Sequence, residues 1–346
     1  MDFNFTMHGR GIMKQSAITL LTLTLALTAL AAPSYSQEVV VYSARNEHLI
    51  QPLFADFTRE TGVKVKFITD KAGVLVQRLK SEGSRTPADV LITVDAGNLW
   101  YASEQGLLQK VQSGTLETNI PEHLRDPAGK WFGLSVRART IVYNTERVDP
   151  SDLSTYEALG DPVWKGRLLL RTSKKVYNQS LVAMLIAEHG VEKTESIVRS
   201  WVGNLAADPF SNDTKVMEAI AAGQGDVGIV NSYYFGRLIK KEPGIPLALF
   251  WPGQNIGGVH VNVSGAGVTK YAKHPKEAVR LLEWLSSPAA QRIFAEANME
   301  YPANPAVDPH PTVASWGTFK QSTMNLSQAG ELQVEAIRLM DRAYYR

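Results

Sequence analysis

The 346-residue sequence contains no cysteine. This absence excludes disulfide bonds, thiolate metal sites and cysteine nucleophiles. It also excludes tethering of an exported protein through a lipid-modified N-terminal cysteine. Any metal that the chain binds must therefore be held by oxygen or nitrogen donors.

A large excess of either charge is also missing, because 36 Lys and Arg residues face 34 Asp and Glu residues. Residues 1–36 hold Arg10, Lys14 and Asp2, so the remainder of the chain has 34 basic and 33 acidic residues, a net charge of +1. A nearly neutral chain has no electrostatic footprint for nucleic acid or for an anionic membrane surface. We therefore expect neither as a partner.

Signatures of catalysis are missing as well. The sequence has no HExxH motif and no nucleophile elbow, and none of the 7 histidines lies four residues from another. Residues 223–228 match the glycine spacing of a dinucleotide-binding turn, which needs a strand before it and a helix after it. Here the order is reversed, which indicates a turn that ends a helix. The sequence favours a protein that is not an enzyme, with a secreted enzyme of unrecognised site as a distant alternative.

Only one long apolar run is present, over residues 17–32. It is shorter than the roughly 20 residues of a membrane-spanning helix, it follows Met13-Lys14, and small residues suited to cleavage come after it. We predict a cleavable signal over residues 1–36, with Met13 as the expected start and no stable membrane insertion. An uncleaved anchor is the less favoured alternative. A bacterial periplasm is the expected location, and eukaryotic secretion is the alternative.

The remaining 310 residues predict an α/β fold, because apolar runs of strand and helix periodicity follow one another. The first three strands and two helices alternate regularly, which favours parallel pairing with right-handed crossovers. The length exceeds one typical core and indicates two lobes. The predicted strands are residues 39–42, 63–68, 88–94, 141–143, 168–170, 226–230 and 259–268, and the helices are 48–59, 74–81, 180–189, 214–222, 275–286 and 289–297.

Three tyrosines carry the strongest chemical signal. A phenol, with a pKa of about 10, stays protonated at neutral pH unless a highly charged cation displaces its proton. Tyr177, Tyr233 and Tyr234 would together form a hard anionic oxygen site suited to ferric iron. Adjacent tyrosines in a strand would point to opposite faces. Taken alone, such a pair more often means one core and one surface residue. Residues 235–240 begin a pattern different from the strand-like residues 226–230, so we predict a break from strand to helix after residue 230, with Ser232 as the N-cap.

The order of motifs resembles the bacterial extracytoplasmic solute-binding proteins, and specifically the periplasmic ferric-ion-binding proteins of ATP-driven iron importers. The resemblance runs from residues 39–45 through 87–90 and 222–226 to 285–291. It implies a type II periplasmic-binding-protein fold in which each of two lobes is a mainly parallel sheet flanked by helices. The ligand cleft lies between the lobes. The implied lobes are residues 37–136 plus about 264–300, and residues 137–263 plus about 301–346.

The resemblance also implies a set of metal ligands. The paired tyrosines of the iron-binding family fall on Tyr233 and Tyr234, and its third tyrosine, in a Tyr-Asn-Gln-Ser setting, falls on Tyr177. An arginine of the family holds a synergistic anion such as carbonate, and Arg137 matches it best, with Arg139 as a second candidate.

One departure from the family concerns the loop after the first strand. Family members commonly place a histidine there, or a histidine followed by a tyrosine, whereas this chain has Asn46-Glu47. Glu47, His48, or water and the anion could fill that coordination position. Asp95, after the third strand, is a further candidate.

The resemblance implies a monomeric protein that captures Fe(3+) in the periplasm and delivers it to an inner-membrane ABC permease with its ATPase. Closure would be a hinge motion about the crossovers near residues 134–139 and 259–268. A second possibility is the same scaffold carrying an organic cation, a thiamine-like molecule or an oxyanion. In that case the tyrosine rings would form an aromatic box for the cation.

Overall fold

The computed structural model describes residues 1–4 and 37–346. Residues 1–4 and Gln37 are exposed and have no regular secondary structure, and the predicted apolar signal run lies outside the described residues. Among the residues that are described, no helix combines the length and apolar character needed to cross a membrane. Residues 38–346 form one compact unit.

The first part of this unit alternates strands with helices, as the apolar periodicity predicts. Helix α1 buries Leu49, Leu53 and Phe57 at helical spacing, and Gly62, at φ 74°, ends it in the left-handed conformation. Strand β1 pairs in parallel with both β2 and β3, as predicted. The elements are β1 (Glu38–Ser43), α1 (Glu47–Thr61), β2 (Lys64–Thr69), α2 (Ala72–Glu82), β3 (Val90–Thr93), α3 (Ala96–Glu104) and α4 (Gly114–Asn119).

The rest of the unit is less regular. Its strands are β4 (Phe132–Asn144), β5 (Leu168–Leu169), β6 (Val227–Asn231), β7 (Leu247–Phe250), β8 (Val261–Val268) and β9 (Tyr301–Pro302). Its helices are α5 (Val176–His189), α6 (Val191–Gly203), α7 (Asp213–Ala221), α8 (Ser232–Lys241), α9 (Pro275–Leu285), α10 (Pro288–Asn298), α11 (Pro311–Ala314), α12 (Ser327–Glu331) and α13 (Gln333–Arg342). Short 3-10 helices cover Gly83–Arg85, Glu122–Leu124, Pro150–Asp152, Glu157–Gly160 and Pro162–Trp164.

The strands join in the order β2-β1-β3-β8-β4-β6-β5, and β7 and β9 also pair with β4. The expected parallel pairing is present between β1 and its two neighbours and between β5 and β6. In contrast, β4 and β8 run antiparallel to every strand that they contact. They are long connecting strands that come from distant parts of the chain, so helical crossovers between neighbours do not set their direction.

Strand β4 separates two hydrophobic cores. From Phe132 to Ala138 it pairs with β8, and from Arg139 to Tyr143 it pairs with β6. One core gathers apolar side chains of residues 39–138 and 259–303 together with Leu326, and we call this part the first lobe. The other core gathers residues 141–247 and 336–345, which we call the second lobe. The sequence-based lobe boundaries stay a prediction.

Gly228 provides a test of packing in the second lobe. It lies inside buried β6, where an added Cβ atom would be 2.7 Å from the Leu169 carbonyl oxygen and 2.8 Å from Val216. We expect Gly228→Ala to lower the free energy of unfolding by about 1–3 kcal/mol, since backbone must move to admit the methyl group. Urea denaturation measures this. Gly73→Ala in α2 is the matched control, because no atom lies within 4 Å of its Cβ position. Equal stability of the two variants would contradict the packing described here.

Candidate metal centre

The tyrosine pair lies where a strand passes directly into a helix. Buried β6 ends at Asn231, and α8 begins at Ser232, so Tyr233 and Tyr234 occupy the first turn of a helix. Neighbours on a helix are separated by about 100° of rotation and do not point to opposite faces, as they would in a strand. Their ring centroids are 4.3 Å apart at an interplanar angle of 30°. The predicted break between strand and helix is confirmed.

The N-cap of this helix differs from the prediction. Asn231, not Ser232, is the N-cap residue, and its side chain makes no capping hydrogen bond. The Asn231 amide oxygen instead accepts a hydrogen bond from Arg139 at 3.0 Å. The turn is therefore held by a long-range contact, which local sequence rules for helix caps do not detect.

Tyr177 lies in the first turn of α5, which begins four residues before the predicted start at residue 180. The Tyr233 hydroxyl donates a hydrogen bond to the Tyr177 hydroxyl at 3.4 Å. Asn178 explains the earlier start, because its amide group donates to the carbonyl oxygens of Arg171 (2.8 Å) and Thr172 (3.1 Å). Three phenols from two helices of the second lobe thus come together.

Arg139 is the connection that holds these two helices in place. It donates to Asn178, which follows Tyr177, and to Asn231, which precedes α8. It also forms an ion pair with Asp213 at 3.2 Å, and both side chains are buried. Each of the three guanidinium nitrogens has an acceptor within the protein. This arrangement does not support the predicted role of Arg139 in anion binding and makes it part of the framework of the site.

Three other arginines surround the phenols. The guanidinium carbon of Arg137 is 5.7 Å from the Tyr177 ring centroid, and that of Arg171 is 5.3 Å from the same centroid. Arg171 and Arg237 both lie 6.0 Å from the Tyr234 ring, and Arg237 lies 5.3 Å from the Tyr233 ring. Their positive charge favours the phenolate form of each tyrosine.

The sequence analysis missed Arg171 and Arg237. Arg237 could have been found, because it follows Tyr233 and Tyr234 by four and three residues on the same helix. Arg171 had no local signal, since its position beside Tyr177 depends on its ion pair with Asp213 at 3.4 Å.

Burial and repulsion by neighbouring tyrosines keep the phenols of Tyr177 and Tyr233 protonated in the absence of a metal. Burial raises the pKa of Tyr177 above its ordinary value, and the charge of Tyr234 raises it further, although Arg137 opposes the shift. Burial also raises the pKa of Tyr233 well above its ordinary value, and the two neighbouring tyrosines add to the increase. A cation of high charge would reverse this preference, since it stabilises phenolate directly.

Arg137 reaches the site from the first lobe, on β4. It donates to the Val94 carbonyl oxygen and to the Ser264 hydroxyl, and its buried Nε atom has no hydrogen-bond acceptor among the described residues. Burial lowers its pKa, but Glu300 and the nearby phenols together raise it above the ordinary value. Arg137 therefore remains charged and retains a free donor, as an anion-binding residue requires.

Arg45 and Glu300 were not predicted from the sequence either. They form a buried ion pair, and the Glu300 carboxylate stabilises the charge of Arg137. The Arg45 guanidinium pairs with the Glu300 carboxylate at 3.0 Å, and both are buried. Burial raises the pKa of Glu300, yet Arg45 and Arg137 together lower it below its ordinary value. Glu300 thus carries a negative charge that stabilises two arginines of the first lobe.

The candidate ligands Asn46, Glu47 and His48 lie at the start of α1. Asn46 is the N-cap residue of α1, and Asn46, Glu47 and His48 are all exposed. Among the hydrogen bonds and ion pairs of residues 37–346, none joins them to the three phenols.

The Asp95 carboxylate already has two hydrogen-bond donors, and neither belongs to the tyrosine site. It caps α3 by accepting from the Asn98 amide at 3.2 Å, and it accepts from Asn262 at 2.8 Å. Burial raises its pKa, and Arg137 partly offsets the shift.

The donor chemistry at this place is therefore phenolic. Within the described part of the chain, no group of three or more His, Asp or Glu side chains could hold a metal ion. Three phenolate oxygens are hard donors that suit a hard trivalent cation, and together they would supply three negative charges. Tyr177, Tyr233 and Tyr234 thus fit ferric iron, and Arg137 fits an accompanying anion.

Comparison with known proteins agrees with this chemistry. The family of bacterial extracellular solute-binding proteins matches residues 85–320. The chain is 45% identical to iron uptake protein A1 of Synechocystis over 91% of this chain and 89% of the relative. It is 28% identical to the major ferric iron-binding protein of Neisseria meningitidis over 85% and 88%. A solved structure of Trichodesmium IdiA, or FutA, in complex with iron and citrate has a TM-score of 0.86 at 45% identity, covering 89% of this chain and all of that one.

Replacement of Arg139 tests its role as framework. Arg139→Leu should lower the free energy of unfolding by about 3–5 kcal/mol, because it removes one partner of a buried ion pair and leaves Asn178 and Asn231 without their donor. Arg199→Leu is the control, since Arg199 forms an ion pair on an exposed helix surface, where such pairs contribute about 0–1 kcal/mol. Chemical denaturation of both variants gives the comparison. A loss no larger than that of the control would show that Arg139 does not hold the site together.

Proposed function

The chain belongs to the family of bacterial extracellular solute-binding proteins, and from that premise we propose that it captures ferric iron in the periplasm. The convergence of Tyr177, Tyr233 and Tyr234 carries this proposal. Three phenolates balance the charge of Fe(3+) within a buried site where other counter-ions are scarce. Iron is the cargo of the protein, to be delivered to an inner-membrane ABC permease and its ATPase.

The three phenols belong to the second lobe, and this sets the order in which the two lobes would contact the iron. Tyr177 on α5 and the pair on α8 both rest on the core of the second lobe, so the phenols can meet without any movement of the first lobe. The second lobe would therefore take up iron first. The first lobe would then contribute Arg137, whose charge Glu300 stabilises, and an anion that completes the coordination.

We propose a carboxylate or carbonate as that anion, bound between the iron and Arg137. The free Nε donor of Arg137 is buried and faces no protein acceptor, so an oxyanion would satisfy it. The iron-and-citrate complex of the Trichodesmium relative is consistent with an anion of this class. Asn46, Glu47, His48 and Asp95 remain predictions as ligands, and the monomeric state remains one too.

The alternative of an organic-cation box is less well supported by the geometry. An aromatic box attracts a cation to ring faces that no other positive charge occupies. Here Arg137, Arg171 and Arg237 lie within 6.0 Å of the ring centroids. An organic cation would meet three positive charges, whereas phenolates bound to iron would be stabilised by them. We expect no catalytic activity at this site.

The double variant Tyr233→Phe/Tyr234→Phe tests the ligand set. It should retain the fold, because only hydroxyl groups are removed, and it should lose the visible absorption of the iron–phenolate complex. Titration of metal-stripped protein with ferric iron, followed by visible spectroscopy, measures this. Tyr101→Phe/Tyr271→Phe is the matched control, since both rings are at the surface. If the site variant forms the same coloured complex as the control, the assignment is wrong.

Iron binding should also depend strongly on pH. The phenols of Tyr177 and Tyr233 have raised pKa values and are protonated without iron, so binding must release their protons. Affinity is therefore lost as pH falls, by up to roughly a thousandfold per pH unit if three protons are released. Loss of the visible band during acidification measures the dependence. Tyr177→Phe, which releases one proton fewer, should show a shallower dependence; an identical slope would exclude Tyr177 as a ligand.

A further inference from the structure

Two strands carry the chain between the lobes, and their backbones meet at one point. Strand β4 changes partner between Ala138 and Arg139, and β8 begins at Val261. The Arg139 amide donates to the His260 carbonyl oxygen at 3.0 Å. A rotation of the lobes must pass through this junction, since the paired strands on either side are fixed in separate cores.

Tyr156 binds both strands at this junction. Its buried hydroxyl donates to the Arg139 carbonyl oxygen and accepts from the His260 amide at 3.1 Å. Its own backbone carbonyl is held by the Trp201 indole at 2.8 Å. The junction is therefore attached to the core of the second lobe.

Asn262, two residues beyond the junction, contacts both lobes with one side chain. Towards the first lobe, its oxygen accepts from the Ala96 amide at 3.0 Å and its nitrogen donates to Asp95 at 2.8 Å. Towards the second lobe, the same nitrogen donates to the Ser180 hydroxyl at 2.6 Å. Asn262, Asp95 and Ser180 are all buried, so the two protons of the amide group are both used inside the protein.

Ser180 links Asn262 to the helix that carries Tyr177. It lies three residues after Tyr177 on α5, on the same face of the helix. Its hydroxyl, which accepts from Asn262, is also hydrogen-bonded to the His260 Nε2 atom, 3.2 Å away. Burial and the two arginines nearby lower the pKa of His260 to about 3, so its ring is neutral and can accept. Asn262 thus donates to both Asp95 and Ser180, and Ser180 is in turn hydrogen-bonded to His260.

We infer that Asn262 and Ser180 are positioning residues that couple the arrangement of the lobes to the position of Tyr177. This inference rests on the proposed function and identifies how the iron site senses the first lobe. When the lobes rotate about the junction, Asn262 cannot keep both Asp95 and Ser180 as partners. The first turn of α5 then loses a buried support, and the Tyr177 oxygen is less accurately placed for the metal. Iron would be held firmly in one lobe arrangement and released more readily in another.

The experiment compares Ser180→Ala and Asn262→Leu with wild type, all three with the complete set of tyrosines. Each variant should shift the iron–phenolate absorption band and release iron to a competing chelator about tenfold faster, because buried groups lose their partners. Ser180→Thr restores the hydroxyl and should return both values towards wild type.

The matched control is Ser286→Ala in the first lobe. Ser286 is equally buried, accepts from Asn119 at 3.0 Å and donates to the Glu283 carbonyl at 2.7 Å. Its loss should lower stability without changing the absorption band or the release rate. If Ser180→Ala and Asn262→Leu leave the band and the release rate as in this control, the coupling does not exist.

A measurement without iron separates this inference from the proposed function. The Ala96 amide is protected by Asn262. It should exchange its hydrogen faster in Ser180→Ala, which removes the second-lobe partner of Asn262, than in wild type or Ser286→Ala. If wild type does not bind ferric iron, the proposed function fails, while the exchange at Ala96 still decides whether Asn262 joins the lobes. If wild type binds iron and exchange at Ala96 is unchanged in Ser180→Ala, the inference fails alone.

Discussion

The buried ion pair between Arg139 and Asp213 is the contact on which the metal centre depends. Its guanidinium reaches Asn178 at the start of α5 and Asn231 at the end of β6, so it sets the relative positions of the helices that carry the three phenols. Asp213 also accepts from Arg171 and from the Asn231 amide. A buried charge is costly unless every partner is present, which makes this network an all-or-none framework.

The electrostatics of the site balance two opposing effects. Burial and repulsion between neighbours keep the phenols of Tyr177 and Tyr233 protonated, whereas Arg137, Arg171 and Arg237 favour their ionised form. In the absence of a metal, burial and repulsion outweigh the arginines, because the pKa values of both phenols are raised. A trivalent cation changes the balance because it replaces three protons, and the arginines then offset the cost of holding concentrated negative charge nearby.

The two lobes have different tasks in this arrangement. The second lobe supplies the phenols and their framework, while the first lobe supplies Arg137 with its supporting pair Arg45 and Glu300. On the proposed ligand set, the presence of Asn46 and Glu47 in the loop after β1 need not disable the site. Ligation by three phenols requires no donor from the loop after β1. A substitution in that loop would change the ligands of the remaining coordination positions and leave the three phenols in place.

Periodicity and local chemistry in the sequence were enough to predict α1, the parallel pairing of β1 with β2 and β3, and the break between β6 and α8. These features depend on burial patterns and turn preferences of neighbouring residues, which the sequence contains directly. The three candidate phenols were named together through the resemblance to the iron-binding family, since Tyr177 and Tyr233 are 56 residues apart and have no local signal that they meet.

Only the tertiary structure decided that Arg139 belongs to the framework, that Arg171 lies beside the phenols and that Arg45 pairs with Glu300. It also decided that the Asp95 carboxylate caps a helix and accepts from Asn262. The antiparallel course of β4 and β8 and the early start of α5 were also decided there. Each of these features depends on groups that are distant in sequence and meet only after folding. An arginine has the same local sequence signal whether it meets an anion, a phenol or a buried carboxylate, so its partner cannot be identified before the chain is folded.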